Sequence, residues 1–346
     1  MSSLNSIPQL KKILVPLDGS PLAEEAIVQA ATIARASKAD LLLLRVIAPS
    51  SCVPLYPVTT MDLIEPMKEA AFTSARTYLE QVTTYEHLDT LKVQTDVILG
   101  STVTTIIDHA VQQGVDLIVM RSHGETGLTR WVMGSTAHQL VRYSPVPVLV
   151  ISKPQEQPVD PHHTPRVLVA LDGSPLAEEA IRPAAQLSAA LAYPGQGLLL
   201  LTRVVQRVRQ YRNQTKEQLE QINSAYRAEA ETYLQKIKQN VLTGELAPLN
   251  LKITTSVLTY MDVEDITQSI IEESSGVGEA TDHLGCDIIA MSTHGRHGFQ
   301  HLLLGSFTED VLHAARKPLL VVHASKTKKA LQTQVQRKDI VNVPIL

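Results

Sequence analysis

The sequence contains an internal repeat, and this repeat limits the folds that the chain can adopt. Residues 17–27 read LDGSPLAEEAI, and the same eleven residues recur at 171–181. A segment with one histidine, three glycines and a serine at 123–135 recurs with the same spacing at 294–306. Because matches of this length do not arise by chance, the chain is predicted to consist of two copies of one structural unit.

The repeats and the composition between them predict the domain boundaries. We expect a first domain at residues 1–151 and a second domain at 166–324. Residues 152–165 read SKPQEQPVDPHHTP, and four prolines with few apolar residues indicate an extended linker. Residues 325–346 are mostly polar and are predicted to form a C-terminal tail.

Composition excludes several classes of protein. Hydrophobic residues make up 44% and charged residues 19% of the chain, which is typical of a globular protein. The apolar runs are far shorter than the roughly 18 residues that a membrane span requires, and no secretory signal is visible at the N-terminus. The net charge of −4 gives no electrostatic reason to expect binding of nucleic acid. Cys52 and Cys286 are interpreted as free thiols of a cytoplasmic protein.

The first copy shows alternating strand and helix patterns. A short apolar run ending in Asp-Gly-Ser predicts a buried parallel strand, and Ser20-Pro21 predicts the start of a helix. The predicted strands are 12–17, 39–46, 91–99, 116–120 and 146–150. One predicted helix begins at Pro21, and the other three cover 62–85, 102–113 and 135–142. In the second copy, 211–239 is predicted to form a long exposed helix that packs through Leu219, Ile222, Ala225 and Tyr226, with partner binding as the alternative.

This βαβαβαβαβ order predicts an α/β fold of two tandem doubly wound, five-stranded parallel sheets with helices on both faces. Such sheets bind ligands at the carboxyl ends of their strands, where the strand order reverses. The turn at 18–20 follows the first strand, and the segment 121–135 follows the fourth strand. If these two strands are neighbours, both segments line one crevice.

The residues Gly124, Gly134, Ser135 and Thr136 have a pattern that suits a phosphate group. Glycine lets the backbone approach an anion closely, and the second glycine opens a helix whose first N–H groups are unpaired. Gly295, Gly305 and Ser306 repeat the pattern in the second copy. A loop turn followed by a helix cap requires the same residue types, so both interpretations stay open.

The segments ILVPLDGSPLAEEAI and MRSHGETGLTRWVMGSTAHQLVRYSPVPVLV, with their second-copy counterparts, resemble the signatures of the universal stress protein family. The resemblance covers nearly all of both copies and implies a Rossmann-like fold similar to the adenine nucleotide alpha hydrolases. The ATP-binding branch of the family has the motif G-x-x-G-x9-G-[ST]. This chain keeps the later glycines and the hydroxyl residue, but Arg121 and Ser292 replace the first glycine. Arg121 could crowd the pocket or pair with a phosphate.

The resemblance implies that the cofactor is ATP, with or without Mg²⁺, and it implies a role for each matching position. Asp18 and Asp172 would contact the sugar or base side of the nucleotide, and Val46 and Val204 would hold adenine through backbone atoms. Each aspartate also suits a turn that bonds its own backbone. The other binding positions that the resemblance implies are Met120, Gly124, Gly134, Ser135, Thr136, Met291, Gly295, Gly305 and Ser306.

Three functions are compatible with the sequence. The first is a nucleotide-responsive stress and signalling protein with little or no turnover. The second is a partner-binding or chaperone-like module with degenerate sites, and the third is a slow ATPase or autophosphorylating protein. No catalytic or metal-binding set is evident. The resemblance also implies that the last strands pair, which would make an intrachain pseudo-dimer, and it allows a homodimer and an unknown protein partner.

Overall fold

The computed structural model describes residues 10–52, 64–122, 133–151, 164–209, 215–261, 265–276, 285–293 and 306–323. The first repeat has the predicted alternation of strands and helices. Its strands are β1 (Lys12–Leu17), β2 (Asp40–Ile47), β3 (Val93–Leu99), β4 (Leu117–Arg121) and β5 (Val148–Ile151). Its helices are α1 (Pro21–Ser37), α2 (Ile64–Thr83), α3 (Thr102–Gln112) and α4 (Ser135–Tyr143).

The second repeat follows the same plan with one difference. Its strands are β6 (Arg166–Leu171), β7 (Leu198–Gln206), β8 (Lys252–Tyr260), β9 (Ile288–Ser292) and β10 (Leu319–Val322). Its helices are α5 (Pro175–Glu178), α6 (Ile181–Ala192), α7 (Lys216–Thr243), α8 (Asp265–Ser275) and α9 (Ser306–Ala314). The single helix α1 corresponds to the pair α5 and α6, because Pro183 stands where the first repeat has Gln29. Proline has no N–H to donate to the carbonyl of Glu179, so the helix is interrupted there.

The strands form one sheet in the order β3-β2-β1-β4-β5-β10-β9-β6-β7-β8. Each repeat contributes five parallel strands, as predicted, and β5 pairs with β10 in antiparallel orientation. The chain passes from β1 to β2 and β3 on one side and then returns to β4 on the other side. The strand order therefore reverses between β1 and β4, which are neighbours, and between β6 and β9 in the second repeat.

Apolar layers cover both faces of the sheet. One layer packs under α1, α2, α6 and α7, and the other packs under α3, α4, α8 and α9. Leu149 and Leu320 face each other across the β5–β10 pair, and both are fully buried. The two repeats therefore share continuous cores along the seam between them, where burial of apolar area is the main stabilising contribution.

The position of the predicted packing stripe on α7 was wrong. The buried residues of this helix are Ala230, Leu234, Ile237 and Val241, whereas Ala225 and Tyr226 are exposed. Apolar residues at helical spacing occur in both halves of α7, and only the C-terminal half lies over the sheet. Among the residues that the structure describes, no helix combines the length and the apolar character that crossing a membrane requires.

Candidate functional site

A cavity of about 580 Å³ lies at the carboxyl ends of β1, β2 and β4, where the strand order of the first repeat reverses. We call it the first crevice. Its walls come from strand ends and from α2, α3 and α4, so the polar turns and the apolar strand ends meet in one place. The lining residues that carry the argument below are Asp18, Arg45, Val46, Ser74, Tyr78, Met120, Arg121 and Thr136.

The turn after β1 positions Asp18. Its Oδ1 accepts hydrogen bonds from the backbone N–H of Ser20 at 2.9 Å and from the Ser20 hydroxyl at 2.6 Å. The Ser20 hydroxyl oxygen in turn accepts from the N–H of Ala23 at 3.2 Å and caps α1. Gly19 between them has φ +83°, a conformation that strongly favours glycine. Asp18 thus has the turn role that the sequence allows, and it also lines the first crevice.

The second repeat has the same turn. The Oδ1 of Asp172 accepts from the N–H of Ser174 at 2.8 Å, and the Ser174 hydroxyl oxygen accepts from the N–H of Ala177 at 3.2 Å. Gly173 has φ +85°. Local geometry therefore explains the Asp-Gly-Ser part of the repeated segment, because both turns need an aspartate, a glycine and a helix-capping serine at these positions.

The strand register shows which residue of the second repeat is equivalent to Val46. Leu17 pairs with Arg45 and Leu171 pairs with Arg203, so the residues that follow, Val46 and Val204, are equivalent. Both valines pack against the layer under α3 and α8. The methionines proposed from the resemblance, Met120 and Met291, occupy β4 and β9 and are buried in the same layer. Of these four residues, Val46 and Met120 line the first crevice.

The predicted phosphate segment is described in part. Gly134 is the N-cap residue of α4, Ser135 and Thr136 form its first turn, and Thr136 lines the first crevice. As glycine has no side chain to cap the helix, the first-turn N–H groups remain suited to an anion. In the second repeat Ser306 begins α9. The remaining predicted glycines, Gly124, Gly295 and Gly305, lie outside the described residues.

Arg121, which replaces the first motif glycine, is held from two sides. Its Nε lies 2.8 Å from Oε2 of Glu25, without the alignment of a hydrogen bond, and its Nη1 donates to the carbonyl oxygen of Ile151 at 3.3 Å. The Arg121 side chain is only 8% exposed. At the equivalent position, Ser292 is also buried, and its carbonyl oxygen accepts from the hydroxyl of Thr308 at 3.1 Å.

The sequence analysis missed an arginine and a tyrosine that recur beside both turns. The guanidinium of Arg45 lies 6.0 Å from the ring centre of Tyr78, and that of Arg203 lies 5.0 Å from the ring centre of Tyr233. Burial raises the pKa of both tyrosines, and Glu24 on α1 and Glu178 on α5 raise it further through hydrogen bonding and negative charge. The repeated pattern Ala-x-Thr-Tyr-Leu at 75–79 and 230–234 is a sequence signal for this pair.

The fold and the crevice define a tandem, doubly wound α/β protein with a small-molecule-sized cavity at the switch point of its first repeat. The chain belongs to the universal stress protein family, since the sequence profile of that family matches residues 9–152 and 163–323.

Relatives that match nearly the whole chain and relatives that match less than half of it support this assignment. A universal stress protein of Mycolicibacterium smegmatis is 26% identical over 321 residues, which cover 90% of this chain and 96% of the relative. A universal stress protein of Methanocaldococcus jannaschii is 32% identical over 148 residues, which cover 42% of this chain and 85% of the relative. The crystal structure of a universal stress protein from Archaeoglobus fulgidus covers 91% of this chain and 98% of its own, with a TM-score of 0.56 and 18% identity. This last similarity shows a common fold.

Proposed function

We propose that the first crevice binds an adenine nucleotide, ATP with or without Mg²⁺, and that the chain is a nucleotide-responsive stress and signalling protein. The observation that supports this proposal is the convergence of Asp18, Val46, Met120 and Thr136 on one cavity of about 580 Å³. The volume is within the usual range of about 300–1,000 Å³ for small-molecule sites. Four separate chain segments supply these residues, so their meeting is a property of the fold.

The chemistry of the lining matches the parts of a nucleotide. Val46 and Met120 offer an apolar surface for the base, and the backbone of Val46 at the end of β2 offers hydrogen-bonding groups to its edge. The carboxylate of Asp18 accepts hydrogen bonds and suits sugar hydroxyls. The N-terminus of α4, opened by Gly134, suits the phosphates.

The second repeat is proposed to hold a related site, with Asp172, Val204, Met291 and Ser306 at the equivalent positions. Within the described ranges, no group of three or more histidine, cysteine, aspartate or glutamate side chains is placed to hold a metal ion. We therefore propose that Mg²⁺ would enter as a complex with the nucleotide, bound by the phosphates.

Little or no turnover is expected. Among the described residues that line the first crevice, Asp18 is the one carboxylate, and Ser20 already occupies its Oδ1. A hydrolase must orient a water molecule and stabilise the charge that develops on the transferred phosphate. Release of phosphate from ATP within minutes by the purified protein would contradict this part of the proposal.

Binding can be tested on the full chain after removal of bound nucleotide. We expect Mg-ATP to raise the thermal midpoint by mass action and to change the fluorescence of the single tryptophan, Trp131. Thr136→Glu should weaken ATP binding by repulsion, whereas the neutral control Thr136→Gln should weaken it much less. A carboxylate in the first turn of a helix favours the helix, so the Glu variant should fold. If millimolar ATP changes neither signal, nucleotide binding is refuted and a partner-binding function takes its place.

A further inference from the structure

Arg45 lies where its charge can act on a ligand of the first crevice. Its Nη1 donates to the carbonyl oxygen of Leu17 at 3.2 Å, and a Cβ placed on Gly19 would lie 3.5 Å from both terminal nitrogens of the guanidinium. The guanidinium is therefore beside the turn that carries Asp18, and Arg45 is part of the cavity wall. Arginine presents several donors in one plane and is suited to phosphate oxygens.

Arg203 occupies the equivalent position in the second repeat, but a carboxylate accompanies it there. Its Nη2 lies 3.3 Å from Oε1 of Glu229, which is on α7, and only 5% of the Arg203 side chain is exposed. In the first repeat the corresponding helix is α2. The pairs Ala75 and Ala230, and Tyr78 and Tyr233, show that Glu229 corresponds to Ser74.

This substitution changes the charge of the wall. Ser74 lines the first crevice and is neutral, so the positive charge of Arg45 is not offset from that position. Glu229 offsets the charge of Arg203 by direct pairing.

We propose that Arg45 is an anion-binding residue of the first crevice, and that the exchange of Ser74 for Glu229 makes the two repeats select ligands of different charge. The first repeat takes a polyphosphate ligand such as a nucleoside triphosphate. The second repeat, with its arginine neutralised, discriminates against such ligands and takes at most one of low charge. This inference rests on the proposed function of the same crevice. It adds the charge of the ligand that each repeat selects and a difference between the two sites.

The test uses calorimetric titration of the full chain with adenosine, AMP and ATP. Ser74 is on the exposed side of α2, so Ser74→Glu and its neutral control Ser74→Gln should fold normally. Ser74→Glu should weaken ATP binding at least about tenfold more than it weakens adenosine binding, as expected for one added charge a few ångströms from a polyanion. Ser74→Gln should affect ATP and adenosine alike.

The reciprocal variant tests the second repeat. Glu229→Gln should release Arg203 and add a second ATP site, so that the stoichiometry for ATP rises from one towards two. The inference is overturned if the wild-type protein binds two ATP molecules with equal affinity, or if Ser74→Glu and Ser74→Gln weaken ATP binding equally.

Inorganic tripolyphosphate separates this inference from the proposed function. If no adenine compound binds but tripolyphosphate binds and Ser74→Glu weakens it, the nucleotide proposal fails and the anion role of Arg45 stands. If adenosine binds with an affinity equal to that of ATP in the wild-type protein, the nucleotide proposal survives and the charge selection is overturned. If neither adenine compounds nor tripolyphosphate bind, both are refuted.

Discussion

The ion pair between Arg121 and Glu25 allows a sharp prediction, because it explains how an arginine is tolerated at the switch point. The perturbation is Glu25→Gln, which preserves the shape of the side chain and removes its charge. Arg121 would then keep its bond to the carbonyl oxygen of Ile151 and lose the countercharge 2.8 Å from its Nε.

The magnitude follows from the burial of the two partners. Loss of one partner of a fully buried ion pair costs about 3–5 kcal/mol, whereas exposed pairs contribute about 0–1 kcal/mol. The Arg121 side chain is 8% exposed and that of Glu25 is 37% exposed, so the pair lies between these limits. We expect Glu25→Gln to lower the free energy of unfolding by about 1–3 kcal/mol, discounted for solvent screening at the glutamate.

Urea unfolding followed by circular dichroism measures this loss, and the chain supplies a matched control. Arg182 and Glu245 form an ion pair in which both side chains are substantially exposed. Glu245→Gln should change the free energy of unfolding by less than about 1 kcal/mol, and added salt should remove that difference. If Glu25→Gln costs no more than Glu245→Gln, the argument from burial is refuted.

The same variant distinguishes two roles of Arg121 in ligand binding. If the arginine pairs with a phosphate once Glu25 no longer holds it, Glu25→Gln should strengthen ATP binding, and adding Arg121→Gly to that variant should remove the gain. If the arginine only crowds the crevice, Arg121→Gly should strengthen binding instead. Measuring ATP binding by these variants therefore shows whether Arg121 acts through its charge or through its size.

Three further predictions concern the framework. Leu320→Ala at the β5–β10 seam should lower the free energy of unfolding by about 2–5 kcal/mol, whereas Leu242→Ala at an exposed site should cost about 1 kcal/mol or less in the same urea assay. Ser174→Ala should cost about 1 kcal/mol by loss of the helix cap, measured by thermal unfolding. Burial raises the pKa of the Cys286 thiol from 9.0 to about 12. At a pH between these two values, the thiol is deprotonated in the unfolded chain and stays protonated in the folded protein. The free energy of unfolding should therefore fall as pH rises through this interval, and Cys286→Ala should flatten that slope.

The sequence predicted the elements whose signals are local. The start of α1 at Pro21, with Ser20 as its cap, was predicted correctly because a capping hydroxyl followed by proline acts within four residues. The strand β1 was predicted with its observed bounds, since a short apolar run before an Asp-Gly turn fits no common alternative. The alternation of strands and helices left open whether β1 and β4 are neighbours, and the structure shows that they are.

The sequence could not predict contacts that depend on tertiary packing. Arg45 and Tyr78 belong to different elements, and the repeated pattern around Tyr78 marks a shared position without showing that its partner is Arg45. Arg121 was recognised as a departure from the family motif, but its partner Glu25 is on α1, almost a hundred residues earlier. The packing stripe of α7 was placed one half-helix too early because periodicity alone does not show which turns of a long helix cover the sheet.

A comparison of the two repeats shows which residues the fold requires and which it leaves free. The turns that join the first strand to its helix are identical, because their φ angles, caps and backbone bonds permit few alternatives. The residues that line the first crevice differ from their equivalents in the second repeat at several positions, among them Ser74 and Glu229, Arg121 and Ser292, and Thr136 and Phe307. Each exchange alters a charge or a hydroxyl without disturbing a strand or a cap. We therefore expect the two repeats to differ in the ligands that they bind, and the two repeats should be assayed as separate sites.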